Sequence, residues 1–550
     1  MPQTQNQQDG QGGQNQQSRR SPLLNNHLFL YLTEFFAGMA VMAVELGASR
    51  LLAPYFSSSQ IVWTIIIGTI MLAMALGNLY GGRKADQDPD PDRLYLRILI
   101  AALWIAAIPF AGKYLIVAIA GALAITISTG FLTWAAFLSC MIIFVFPLFL
   151  LGTVTPSLVK YTTDSLDNNA QIVGRLGACN TIGSIIGTFL PTFVTIPAVG
   201  TAVTFLIFSG ILLALGLVYF LTSGRRRRMA AGMTAAFVVL SAIGCGGSFA
   251  FWEKGLTYEG ESIYNYLQVK DLPDRTIFST NVLFGVQSVK MKTNSLTGMY
   301  YDYALAAPVT AGFAEKEKPS VLVLGMGTGT FAQQTRRYFP GADIEGVEID
   351  GKITTLSHRY FGVSEDIPVA TYDGRAYLQG TNRKYDVIMV DAYQDITIPF
   401  QMSSAEFFRE VRDHLNPGGV MVVNMNMRSD QPEGIDAWLT DTIASVFPNV
   451  ATADVPGNTN RELFASADAD IVNTFRTKAG SAEDPALKAL SEEISAAMVV
   501  PETGDRIFTD DKAPVELLGM REIDDLIADE LGYYKQILKR DGIRGLMNEL

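Results

Sequence analysis

Cysteine and histidine are scarce, with three of each in 550 residues. Cys140, Cys179 and Cys245 all fall in the apolar first half and lack metal-ligand spacing. His27, His358 and His414 are scattered. The second half therefore has no disulfide framework, and no metal is expected. Charge is nearly missing from long stretches of the first half, a segregation that a single soluble core would not show. A basic stripe is missing too. Against 42 Lys and Arg stand 54 Asp and Glu, a net charge of -12. No nucleic-acid partner is expected, because phosphate binding needs a basic field. Acidity keeps a domain soluble and would also draw in a cationic substrate.

What is present divides the chain. Residues 1–26 are rich in Gln, Asn, Gly and Ser without apolar periodicity and read as a disordered tail. From 27 to 252 apolar stretches follow one another near 28–50, 60–81, 95–112, 114–129, 131–153, 177–197, 201–222 and 231–251. A helix of about 20 apolar residues crosses a bilayer. The expectation is a multi-span α-helical membrane domain of about seven to eight helices, in a multi-pass protein of the cell membrane. Glu34 and Glu45 lie inside the first stretch, with Arg50 near its end. Such groups either bind a cation inside the bundle or pair with another helix. The basic clusters, Arg83-Lys84 and Arg225 to Arg228 among them, do not agree on one orientation.

From Glu253 the composition is that of a soluble protein. Residues 261–292 alternate and are rich in Tyr, Val, Ile and Phe, which predicts a small β subdomain over 253–312. Over 313–550 strand and helix patterns alternate, the signature of an α/β Rossmann-like domain. The apolar run 320–324 ends in Gly325-Met326-Gly327-Thr328-Gly329, just ahead of a predicted helix. Glycines there allow a sharp turn and close approach of a ligand. A second strand ends in Glu348-Ile349-Asp350, where a carboxylate can accept from both ribose hydroxyls. Glu348 is the better placed, and capping of the next helix is the other use for either acid. Asp373, before Gly374, ends a third strand, where it can meet an adenine amino group or cap a helix. The strand 385–390 ends in Asp391. This spacing matches enzymes that depend on S-adenosylmethionine.

At Glu261 to Asn265, Val321 to Gly329, Val347 to Asp350, Tyr385 to Asp391, Asn416 to Gly419 and Thr509 to Glu516 the chain resembles the spermidine synthase family. The likeness is to its bacterial form in which such a domain follows a membrane domain. The resemblance implies transfer of an aminopropyl group from decarboxylated S-adenosylmethionine to a small amine, with methylthioadenosine as by-product. It implies Asp391 as the base and Tyr301 as the active-site tyrosine. The co-substrate would lie on Gly325, Gly327, Gly329, Glu348, Asp373 and Gly374, and the amine on Gln287, Asp302 and Asp395. A homodimer is a further expectation, and the cofactor chemistry places the soluble domain on the cytoplasmic side. The chain departs from the family pattern at Thr328, where an acid is usual. Tyr301-Asp302-Tyr303 replaces Tyr-His-Glu, and Gln394 replaces a second acid, with Asp395 one position on. Two other readings stay open: an S-adenosylmethionine-dependent methyltransferase on the same fold, and a non-enzymatic polyamine or cation transporter with a sensor domain.

Overall fold

The computed structural model of the protein describes residue 23 and residues 26–549, apart from 128, 163–168, 254, 283–285, 294, 394–397, 427, 430, 469 and 481, with backbone alone at 534, 538 and 541–549. The chain forms two compact units, the first within residues 27–251 and the second built chiefly from 252–550.

The first unit is helical. Among the described residues, five stretches are long and apolar enough to cross a membrane: His27–Phe56, Gln60–Gln87, Pro91–Thr126, Phe131–Thr162 and Asn169–Ser223. The apolar stretches read as 95–112 and 114–129 lie on one continuous helix, Pro91–Thr126. Asn169–Ser223 is broken at Gly200, whose φ of 82° no regular helix contains. Close approach of helices explains a Gly-x-x-x-Gly pair. A Cβ at Gly183 would lie 2.0 Å from the Phe35 carbonyl oxygen, and one at Gly187 would lie 2.1 Å from that of Met39. Small residues allow such backbone contact where apolar burial alone gives little drive. Between these helices the Glu34 carboxylate accepts from Thr155 Oγ1 at 2.6 Å and Asn180 Nδ2 at 2.9 Å. The glutamate therefore bonds to two other helices.

The second unit begins with an antiparallel sheet of β1 (Leu256–Glu261), β2 (Tyr266–Asp271), β3 (Arg275–Ser279) and β4 (Ser288–Met291), paired in that order. A single turn of helix follows, α1 (Tyr300–Tyr303). The main sheet contains β5 (Ser320–Leu324), β6 (Asp343–Glu348), β7 (Val369–Thr371), β8 (Tyr385–Val390), β9 (Leu415–Met425), β10 (Asn449–Asp454) and β11 (Arg461–Ser466). Its order is β10-β11-β9-β8-β5-β6-β7. Strands β5 to β9 run parallel, and β11 is antiparallel to both β9 and β10. The Rossmann-like sheet is thus mixed. Crossover helices include α2 (Thr330–Tyr338), α3 (Gly351–Leu356), α4 (Gly374–Gly380), α5 (Ala405–Asp413) and α6 (Ile435–Ala444). A long helix, α7 (Val515–Glu549), ends the chain.

Strand periodicity explains why these runs are apolar throughout. Val321, Val323, Val387 and Met389 pack on one face of the sheet. Leu322, Leu324, Ile388 and Val390 pack on the other. Both faces are covered, so both alternating sets must be apolar. From β5 the chain steps outward to β6 and β7, then returns to place β8 on the other side of β5. A crevice opens at such a reversal, beyond the carboxyl ends of the two strands.

Candidate active site

A cavity of about 700 Å³ lies at that reversal. Gly325, at the end of β5, and Asp391, at the end of β8, both line it. Gly325, Gly327 and Gly329 have φ values of 85°, 53° and 77°, in the region that favours glycine. The turn is fixed from β6. Gly325 N–H and Met326 N–H each donate to the Val347 carbonyl at 2.9 Å.

Glu348 and Asp350 separate cleanly. Glu348 is 7% exposed, lines the cavity, and accepts from Gly327 N–H at 2.8 Å and Asp350 N–H at 3.0 Å. Burial pushes its carboxyl up to about 7, although the backbone donors oppose the shift. Asp350 instead caps α3 through Lys352 N–H at 3.0 Å and accepts from Ser262 Oγ at 2.5 Å. Asp373 both lines the cavity and caps α4, accepting from Ala376 N–H at 2.9 Å. Of the two uses open in the sequence, capping is present, and the side chain also borders the cavity. Gly374 lines the cavity beside it.

Asp391 is held on both oxygens. Tyr300 Oη donates to one at 2.7 Å, and Asn424 Nδ2 donates to the other at 2.8 Å. Asn424 is itself held by Asn460 Nδ2 at 2.8 Å. Burial raises the Asp391 carboxyl to about 7. The two donors lower it, and the Glu348 charge raises it further. Among the described residues, the carboxylates lining the cavity are Glu348, Asp373, Asp391 and Glu530, and no Lys, Arg or His lines it. A cavity of this composition suits a cation and repels an anion.

Four expectations need correction or fall outside the described residues. Gly329 is not among the lining residues and instead stands at the start of α2. Tyr301 lines the cavity, but its hydroxyl donates to the Gln287 carbonyl at 2.5 Å; the hydroxyl on Asp391 is that of Tyr300. On a single turn of helix the two neighbours point about 100° apart, and the sequence does not say which one faces β8. Asp302 is 2% exposed and is not among the lining residues. It closes the preceding turn, accepting from Thr297 N–H and Gly298 N–H at 2.7 Å each. Asp395 lies outside the described residues. Gln287 does line the cavity. Asn424 and Asn460 were missed. Asn424 stands on β9 and Asn460 just ahead of β11, where no local motif marks them. Tyr300→Phe is expected to slow turnover and shift the pH profile of Asp391 to higher pH, because a donor to the carboxylate is lost. Tyr301→Phe leaves that profile in place, and parallel kcat/KM profiles check both.

Residues 307–456 match the family model described as spermine/spermidine synthase domain. A protein of Bifidobacterium longum named "Probable polyamine aminopropyl transferase" is 56% identical over 351 residues, covering 60% of this chain and 77% of that protein. A polyamine aminopropyltransferase of Vibrio vulnificus is 26% identical over 226 residues, 40% of this chain and 74% of its own length. Among solved structures, the spermidine synthase of Thermotoga maritima covers 45% of this chain and 85% of its own, at 20% identity and a TM-score of 0.36.

Proposed function

This chain belongs to the polyamine aminopropyltransferase family of transferases, and we propose that its second unit transfers the aminopropyl group of decarboxylated S-adenosylmethionine to an amine. The first unit, on this reading, spans a lipid bilayer and tethers the enzyme there, with the second unit on the cytoplasmic side. The observation that carries the reaction is Asp391, gripped by Tyr300 and Asn424 in a cavity whose described lining includes acids and amides and no cationic side chain.

The glycine turn and Glu348 hold the nucleoside. Positive φ at Gly325 and Gly327 brings the backbone close to the ligand, and Glu348 accepts from the ribose hydroxyls. Asp373 takes the adenine amino group. The acceptor amine lies at Asp391. Its nitrogen lone pair attacks the methylene carbon beside the sulfonium, an N–C bond forms and the C–S bond breaks. The C–S electron pair stays on sulfur, methylthioadenosine leaves neutral, and the amine proton passes to Asp391. Positioning supplies much of the rate, because two reactants are held in line within one cavity. Proton acceptance at Asp391 supplies a further factor.

Incubating the full-length protein with decarboxylated S-adenosylmethionine and a series of amines should release methylthioadenosine. No release with any amine would remove the proposal. Preference for S-adenosylmethionine, with methyl transfer, would favour the methyltransferase reading instead. Glu348→Ala is expected to weaken methylthioadenosine binding by about 1–3 kcal/mol, the usual loss for a charged hydrogen-bond partner. Calorimetry of the variant checks this.

A further inference from the structure

One buried carboxyl takes no part in the hydrogen bonds of the site. Glu462 lies on β11, 0% exposed, and no described protein group hydrogen-bonds either of its carboxyl oxygens. Its cross-strand partners are Asn424 on β9 and Ala453 on β10. Paired residues on adjacent strands project to the same face about 5 Å apart. Glu462 therefore stands beside the amide that holds Asp391. Two residues along β11, Phe464 packs in the same core cluster as Tyr300, so α1 and Asp391 share this face with Glu462. The ionisable groups that bear on it are Asp391 and the Tyr393 phenol, and neither is a cation.

An ionised carboxylate left without a partner in an apolar interior costs several kcal/mol. The protein without substrate therefore holds Glu462 as the neutral acid. A cation entering the cavity above Asn424 and Asn460 changes that balance, because a positive charge nearby favours the anion. Of the acids expected on the acceptor side, Asp302 closes a turn and is not among the residues lining the cavity.

We propose that Glu462 is a specificity-determining carboxyl, which ionises beneath the acceptor end of the cavity and selects amines carrying a second ammonium group. Strand β11 carries it 71 positions beyond Asp391, so no local motif announces it. The inference rests on the transferase reading. A monoamine has one nitrogen, which loses its charge on attack. A diamine keeps a cation throughout and gains from Glu462 in both the bound and the reacting state.

The test compares 1,4-diaminobutane with butylamine, using full-length wild type and Glu462→Gln and following methylthioadenosine release. The variant is expected to raise KM for the diamine about 10- to 100-fold, the equivalent of one to two pKa units of charge interaction. KM and kcat for butylamine should stay at their wild-type values. Because the substitution removes a buried acid without a partner, the variant should melt at or above the wild-type temperature at pH 8. Glu462→Met repeats the comparison if the glutamine variant does not fold. An unchanged diamine KM in a folded, active variant overturns the role of Glu462 alone. A wild type that releases no methylthioadenosine with either amine overturns the transferase reading, and this inference with it.

Discussion

Asp391→Asn lowers kcat by about 10²- to 10⁴-fold, the usual worth of a positioned general base, and leaves methylthioadenosine binding nearly unchanged. The substitution keeps size and shape but removes the oxygen that takes the proton. It also disturbs the local bonds. Tyr300 and Asn424 both donate to the carboxylate, and an amide offers an acceptor to only one of them. Some stability is lost for that reason, so the melting temperature must be read beside the rate. The pH profile separates the two effects. Burial holds the carboxyl at about 7 rather than in its ordinary range. The basic form is then the minority below pH 7, and kcat/KM falls about tenfold per pH unit as pH drops further. The asparagine variant loses that limb. A variant with normal kcat, or one that keeps the same acid limb, would show that another group takes the proton.

Gly325→Ala is expected to abolish measurable nucleoside binding and to destabilise the second unit by about 1–3 kcal/mol, the range for strain at a special backbone position. Two independent causes act together. The residue sits at φ 85°, where a side chain is strained whatever the space. A Cβ there would also lie 2.4 Å from the Asp391 carbonyl oxygen and 2.7 Å from Ala392 Cα. Both neighbours are backbone at the end of β8, so the turn and the strand carrying the base must move apart. Gly380→Ala is the matched control, since nothing lies within 4 Å of a Cβ at that position and its φ is not positive. Thermal melting and calorimetry with methylthioadenosine check both variants. Wild-type binding by the alanine variant would mean that the nucleoside does not rest on this turn.

Gly325 and Asp391 announce themselves by place, each at the end of a buried apolar run, because a parallel sheet presents its strand ends to the ligand. Tyr300, Asn424 and Glu462 carry no such mark. Their roles depend on which way one turn of helix is rotated and on which strand lies beside which. The antiparallel pair β10 and β11 shows the same limit: alternation identifies a strand but does not name its neighbour.

By itself the sequence determined a charge-poor helical half, an α/β half, the glycine turn and the acids at the ends of β6 and β8. These follow from local rules, namely segregation of charge, strand and helix periodicity, and the backbone freedom of glycine. Only the tertiary structure decided that Tyr300 rather than Tyr301 meets Asp391, that Asp302 closes a turn, and that Glu462 lies buried beside Asn424. Hydrogen bonds and charge interactions act over a few ångströms in space, and residues more than thirty or seventy positions apart acquire that proximity only when the sheet assembles.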